Sequence, residues 1–569
     1  MPGRRIYYVP PRLVGAITNW SGKDSADGRS WLLDRAQSLG FDTVWFSPFF
    51  ETTHMKAATG AGNPSENSLY AIRNHSALDP EFSATKMEGT RDALTAQERA
   101  AADKLDREHL EHFTKQAHAQ GMEVMAMADL VFNHVAADHP IAAAERAEIK
   151  AIIDAQPEGK KPQPMTKTVK NPDGVDETHV IGMSYVDAAG AKKETYFKFA
   201  YNEKFEALDW QGKTGLETAQ VNFHSPAAKE FFVTGQDGSP GFWNQVVDWF
   251  MDRGMKDFRC DVAYRLPPDW WEGIITHAAT RNPDVFFMAE TLGGPASSIQ
   301  RMADIKVQDA NGKERPGFDL GMLSNYWWNF VDNWLPDSEL PMLKKMAKYG
   351  GAAAPDNHDT PDTLAGMFRK AFKNQKDCDR VIADISVRNY AISAFIGNSV
   401  FMQMGYELSK ETQNGVFKGQ GSPKEWDDLV KARPVSHVMN IETRVKAIND
   451  LKKSLGVENC YVNITEHSNQ QDGKLVRIGC EYIDADTGQK MANVVLLVNK
   501  KPENGPISVT DTKLKDLENS EFKRMGAAGE NMLSVKDVII YHTPVEDIIP
   551  TKMKPVSRAI KKAYPGRAS

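Results

Sequence analysis

Between Ile6 and about Met404 the chain repeats one unit: a short apolar, β-branched run, a loop of variable length, then an amphipathic helical stretch. Strands joined through a helix run parallel, so this alternation predicts an α/β fold of parallel strands with crossover helices. The clearest strands are 41–46, 122–128, 256–260, 285–289 and 399–403. Several follow a helix that closes on glycine, at Gly40, Gly121 and Gly254, where a left-handed cap is expected.

Two stretches break the rhythm. From Val135 to about Gly215 a charged insert rich in Pro, Gly and Lys replaces the βα unit, and an insert of that length after a strand is more often a functional subdomain than bare loop. After a last helix over 440–455 the pattern turns to alternating strands with turn signals at Asp472-Gly473 and Thr487-Gly488. The expected layout is a catalytic unit from residues 1–134 and 216–455, an inserted subdomain 135–215, a C-terminal antiparallel β-domain 456–548 and a basic tail 549–569. In that tail a surface-wrapping or mobile end is expected.

Composition excludes several classes. With 41% hydrophobic and 25% charged residues the chain is an ordinary globular sequence, and a net charge of −7 gives no general attraction to nucleic acid or anionic lipid. No apolar run is long enough for a secretory signal or a membrane span, so no membrane partner is expected. Cys260, Cys378, Cys460 and Cys480 show no metal spacing and read as reduced thiols of a cytoplasmic protein.

In a βα barrel chemistry collects where strands end, so polar residues directly after apolar runs are the candidates. The run ending at Ala128 leads into Asp129, Asn133 and His134, and the one ending at Cys260 delivers Asp261 just after Arg259. The run ending at Ala289 delivers Glu290, and 352–355 leads into Asn357, His358 and Asp359. Breaking a glycosidic bond through an oxocarbenium-like transition state needs a carboxylate on one ring face and a proton donor at the leaving oxygen. Consecutive strands ending in Asp261 and Glu290 can supply the pair. Arg259 shares the strand face of Asp261 and is expected to hold it ionised, while the apolar Phe287 and Met288 are expected to raise the pKa of Glu290. Cys260, on the opposite face, is expected to be buried and inert, and Trp270 and Trp271 to pack in the core.

These segments, in this order, resemble the four short regions of glycoside hydrolase family 13, the α-amylase family: Asp129 to His134, Arg259-Cys260-Asp261, Glu290 and Asn357-His358-Asp359. Gln220-Val221-Asn222-Phe223 resembles the segment before the family's fourth strand, and Leu69 to Ile72 with Leu78 to Phe82 its second βα loop. The resemblance spans roughly residues 6–455 and implies a (β/α)₈ TIM barrel with a subdomain inserted after strand 3. It implies Asp261 as nucleophile, Glu290 as acid/base and Asp359 as the carboxylate that fixes sugar hydroxyls. Tyr70, His134, Arg259 and His358 would contact substrate or orient the nucleophile, with Asp129 and Asn357 supporting them from behind. Tyr264 and Arg265 would lie on the leaving-group side. The substrate implied is a malto-oligosaccharide or α-glucan. No cofactor is required, and a structural calcium would fall at Asn133.

Departures narrow this. Gln220 stands where an acidic residue is frequent, which removes a calcium-binding anion. Asp257 replaces a glycine common in the family, and Tyr264-Arg265 replaces a frequent Lys-His pair. Asp138-His139-Pro140, Thr360 to Thr363 and Gly405 to Leu408 look more like the family's maltosyltransferases, including those that use maltose 1-phosphate. Hydrolysis is the first expectation, glucan or maltosyl transfer the second, and an inactive carbohydrate-binding barrel the third.

Overall fold

The computed structural model describes residues 3–54, 68–87, 89–171, 174–214, 217–292, 294–322, 350–359, 362–413, 420–470, 473–509, 523–525, 534–535 and 538–543. Thr360 with Pro361, Asp472 of the first turn signal, and the tail 549–569 lie outside the described residues. Eight parallel strands close into a barrel in chain order: Arg5–Val9, Thr43–Phe46, Glu123–Leu130, Asp257–Cys260, Phe286–Ala289, Leu320–Met322, Gly351–Ala353 and Ser399–Gln403. The last pairs with the first, Tyr7 opposite Met402.

Strand alternation sorts side chains between two apolar layers. Ile6, Tyr8, Trp45, Met125, Met288 and Phe401 fill the barrel interior. Tyr7, Val9, Val44, Phe46, Phe258, Cys260 and Phe287 face the surrounding helices. In Asp257–Cys260 the outward pair is Phe258 and Cys260, so Asp257, Arg259 and Asp261 turn inward. All four cysteines are buried and free, and Trp270 and Trp271 are core residues, as expected. The glycine caps also hold, with φ of 83° at Gly40 and 72° at Gly121. The helix Ala96–Ala119 starts where the Thr95 hydroxyl accepts the Glu98 N–H at 3.2 Å and the Glu98 carboxylate accepts the Thr95 N–H at 2.7 Å.

Between the third and fourth barrel strands, the charged insert contains regular elements. His134–Ala136 pairs antiparallel with Thr218–Gln220. Between them lie the helix Pro140–Asp154 and a three-stranded antiparallel sheet of Gln163–Lys170, Asp176–Val186 and Lys192–Tyr201. After the helix Glu442–Ser454, five antiparallel strands span Cys460 to His542. Tyr482 anchors this sheet to the barrel by donating to the Phe395 carbonyl at 2.9 Å. Among the described residues no helix is long and apolar enough to cross a membrane.

At the foot of the barrel Asp257 is fully buried, 3.1 Å from the Arg4 guanidinium. Burial outweighs that pairing and pushes its carboxyl up to about 7. An acid whose folded-state pKa is raised destabilises the fold where it must ionise. The cost is absent below the unfolded value and grows as pH rises toward 7, to on the order of 4 kcal/mol. Asp257→Asn is therefore expected to gain stability relative to wild type between pH 4.5 and pH 8. Urea unfolding at both pH values checks this, and parallel curves would refute it.

Candidate active site

Arg259 organises the carboxyl end of the barrel. It is fully buried, with its guanidinium 5.4 Å from the centre of the Trp45 ring. Its Nη1 donates to Asp261 Oδ1 at 2.7 Å, and its Nη2 lies 2.8 Å from Glu290 Oε2. One cation thus ties together carboxylates from adjacent strands, where the sequence pointed to a link with Asp261 alone. Strand pairing sets this up: Arg259 is opposite Met288 and Cys260 opposite Ala289, and the Glu290 N–H donates to the Cys260 carbonyl at 2.9 Å.

Glu290 has a second donor. Val262 adopts the left-handed conformation (φ 37°, ψ 45°) and gives its N–H to Glu290 Oε2 at 2.7 Å. For a β-branched residue that backbone costs roughly 1–3 kcal/mol, a strain of the kind that clusters at active sites. The Glu290 carboxyl is held well above its ordinary range, chiefly by burial. Arg259 opposes that shift, while the charges of Asp261 and Asp359 add to it. The raised value expected from apolar flanks therefore has burial and two neighbouring carboxylates as its causes.

Asp359 is half exposed, 3.4 Å from His358 Nε2, and its N–H donates to Asn357 Oδ1 at 3.0 Å. His358 is buried between two tyrosines. Tyr70 stacks on it at 5.7 Å between ring centres and hydrogen-bonds its Nε2 through the phenol at 2.7 Å. Tyr8 lies 5.2 Å away. His134 is buried too, with Nε2 3.2 Å from the Tyr70 carbonyl. Burial pulls it down to about 4 against the pull of Asp261, so at neutral pH it is an uncharged hydrogen-bonding group. Tyr70 thus holds both histidines. Asp129 is paired with Arg259 in backbone register.

Tyr264 and Arg265 follow the strained turn. The Tyr264 ring lies flat on Gly294, where an added Cβ would stand 2.9 Å from the ring. Arg265 is exposed, donates to the Trp210 carbonyl and lies 5.4 Å over the Trp210 ring. Trp210, 6.5 Å from the His134 ring, is a wall residue that sequence reasoning missed. The available signal was a tryptophan isolated in the polar turn Asp209 to Lys213. Gly294→Ala is expected to displace Tyr264 and cut kcat/KM on the order of ten-fold with unfolding unchanged. An unaltered KM and kcat would remove Tyr264 from the wall.

Asn133, where a structural calcium was expected, offers one side-chain oxygen. The Asn133 Oδ1 is buried without a hydrogen-bond partner, which suits an oxygen ligand, but it is neutral. Calcium takes six to eight oxygens, carboxylates among them. Gln220, opposite His134 in the strand pair, is an amide. Among the described residues no group of three or more His, Cys, Asp and Glu side chains is arranged to hold a metal ion.

A closed parallel barrel, a third-to-fourth connection expanded into helix and sheet, and an antiparallel sheet after the eighth strand define an amylase-type (β/α)₈ fold. Solved structures of that fold superpose over nearly the whole chain. An α-amylase from Lactobacillus plantarum matches at 15% identity and TM-score 0.55, covering 95% of this chain and 99% of its own. A trehalose-6-phosphate hydrolase from Bacillus licheniformis matches at 13% identity and TM-score 0.54, covering 95% and 98%. A pullulanase from Paenibacillus barengoltzii, solved with maltohexaose and α-cyclodextrin, matches at 11% identity and TM-score 0.59, covering 95% and 77%. At such identities the likeness is one of fold, and the sequence itself matches no family profile and no curated protein.

Proposed function

We propose that the chain is a retaining enzyme that cleaves α-1,4-glucosidic bonds of malto-oligosaccharides or α-glucans. The observation that carries this is the pair of carboxylates on neighbouring strand ends, Asp261 and Glu290, joined by one buried guanidinium. They differ in environment as a nucleophile and an acid must. Asp261 attacks the anomeric carbon as Glu290 gives its proton to the leaving oxygen. The resulting glycosyl ester is opened by an acceptor whose proton returns to Glu290. Arg259 holds Asp261 in place and stabilises Glu290 once its proton has left. Asp359 and the neutral His134 and His358 accept and donate to ring hydroxyls, with Tyr70 as the apolar surface beneath the sugar. The fold shared with sugar-cleaving enzymes supports the substrate class.

The same residues serve hydrolysis and transfer, so the acceptor decides. Hydrolysis is the first reading. Transfer is the second, favoured by the wall of Trp210, Tyr264 and Arg265, an aromatic and cationic surface that could seat a sugar acceptor or a phosphate-bearing donor. Incubation with maltopentaose, following product masses against reducing ends, separates them. Shorter products with matching reducing ends establish the hydrolase. A ladder above the substrate without that gain establishes the transferase. No change with maltopentaose or maltose 1-phosphate would overturn the proposal.

A further inference from the structure

Asp359 is the least enclosed of the three carboxylates, its side chain 54% exposed where those of Asp261 and Glu290 are 12% and 8%. Asp261 and Glu290 follow their strands directly, whereas residues 354–358 separate Asp359 from the strand Gly351–Ala353. It stands on the turn that leads to the helix Leu364–Phe372. A carboxylate so placed takes its position from whatever holds that turn.

The turn is closed at its ends by Asp356, whose Oδ2 accepts the Leu364 N–H at 3.0 Å. Its middle is held from the loop that follows the eighth strand. Gln413 Nε2 donates to the His358 carbonyl at 3.1 Å and to the Asn357 carbonyl at 3.4 Å. A carbonyl only accepts, so the amide must turn its NH₂ toward the pair, and one side chain then fixes two successive peptide planes. Asn357 and His358 are both buried, where a carbonyl left without a donor is costly.

Gln413 is in turn placed by a stretch with little freedom. Ser409 has left-handed backbone (φ 49°) and donates its hydroxyl to the Met439 carbonyl at 2.9 Å. Lys410 is buried with Nζ 2.7 Å from Glu425, and its carbonyl accepts the Thr363 hydroxyl at 2.7 Å. Glu411 accepts two bonds from Arg369, both at 3.0 Å, and one from Arg433 at 3.1 Å. An added Cβ at Gly366 would collide with the Glu411 carbonyl oxygen, so the helix Leu364–Phe372 lies directly against this stretch. The anchors sit on or beside the helices Leu364–Phe372 and Pro423–Ala432, and none of them is among the residues proposed for catalysis.

We infer that Gln413 is a positioning residue for Asp359: from an anchored loop it fixes the turn that aims the Asp359 carboxylate at the sugar hydroxyls in the transition state. The inference rests on the role proposed above for Asp359, whereas the bonds of Gln413 and the anchoring of its loop do not.

The test compares Gln413→Ala and Gln413→Glu with wild type and combines each with Asp359→Asn, in initial-rate kinetics on maltopentaose with urea unfolding alongside. Gln413→Glu keeps the length of the side chain, but an ionised carboxylate has no hydrogen to give to a carbonyl. Both variants are expected to lose about ten- to hundred-fold in kcat with little change in KM, because the contacts they misplace are made chiefly in the transition state. In the Asp359→Asn background the same substitutions are expected to cost about two-fold or less, since the group they position is gone. Should Gln413→Ala unfold, Gln413→Glu carries the test, and loss of the fold in both would make Gln413 structural and overturn the inference. A kcat within about two-fold of wild type in both variants, or a loss undiminished beside Asp359→Asn, overturns this inference and leaves the catalytic reading standing. Near-normal kcat in Asp359→Asn itself overturns the role proposed for Asp359 and the positioning with it.

Discussion

Asp261→Asn is expected to lower kcat/KM by about four or more orders of magnitude while the unfolding transition stays in place. An amide of the same shape cannot form the glycosyl ester, so the loss falls on chemistry. The side chain is 12% exposed at the end of a strand whose own pairing is unaffected, so the fold has little to lose. Arg259 loses its bond to Asp261 but keeps Glu290 at 2.8 Å. The measurement is initial-rate kinetics on maltopentaose beside a urea curve. Activity within ten-fold of wild type would end the proposed mechanism, and so would a collapse of stability that explains the loss.

The second large effect is at Glu290. Glu290→Gln removes the proton donor and is expected to cost about 10²–10⁴-fold on natural glucans, with far less loss on a glycosyl fluoride, whose leaving group needs no proton. The pH profile carries a signature that a structural role would not produce. Burial first, then Asp261 and Asp359, raise this carboxyl. Activity requires it protonated, so the alkaline limb of kcat/KM in wild type reports its deprotonation. Asp359→Asn takes away one of the charges that raise it, and that limb is expected to move to lower pH. A limb that stays in place in Asp359→Asn and persists in Glu290→Gln would assign the titration to another group.

How much of this was legible depended on whether a feature is local. Parallel barrel strands are covered on both faces and read as unbroken apolar runs, so Phe286–Ala289 and Ser399–Gln403 were plain in sequence. The alternation that turns Arg259 inward and Cys260 outward needed only the two-residue period. The sixth and seventh strands were harder. Leu320–Met322 and Gly351–Ala353 have three residues each and include glycine, so only the Ala352 to Pro355 segment was noticed. The antiparallel sheet from Gln163 to Tyr201 hid for another reason. Its first strand is mostly polar and is held by cross-strand pairs such as Thr168 with Thr178, 3.0 Å apart, which a single strand cannot announce.

Long-range features left little to read. Trp210 joins the cleft because its loop folds back over His134. The double engagement of Arg259 depends on the relative height of two strands. A cavity of about 720 Å³ on the barrel flank draws residues from well-separated stretches, among them 73–77, 139–141 and 242–249.

The closure of the barrel has a consequence for how the chain is made. Arg5–Val9 needs Ser399–Gln403 on one side, and the Arg4 N–H finds its acceptor in Ser399, 395 positions later. During synthesis this strand can pair early with Thr43–Phe46, but its other edge keeps unpaired N–H and C=O groups until nearly four hundred further residues have emerged. Such distant pairing is slow to find, and an uncovered edge invites a neighbouring nascent chain. Yield on refolding should therefore depend on protein concentration far more steeply than the stability of the finished molecule would suggest.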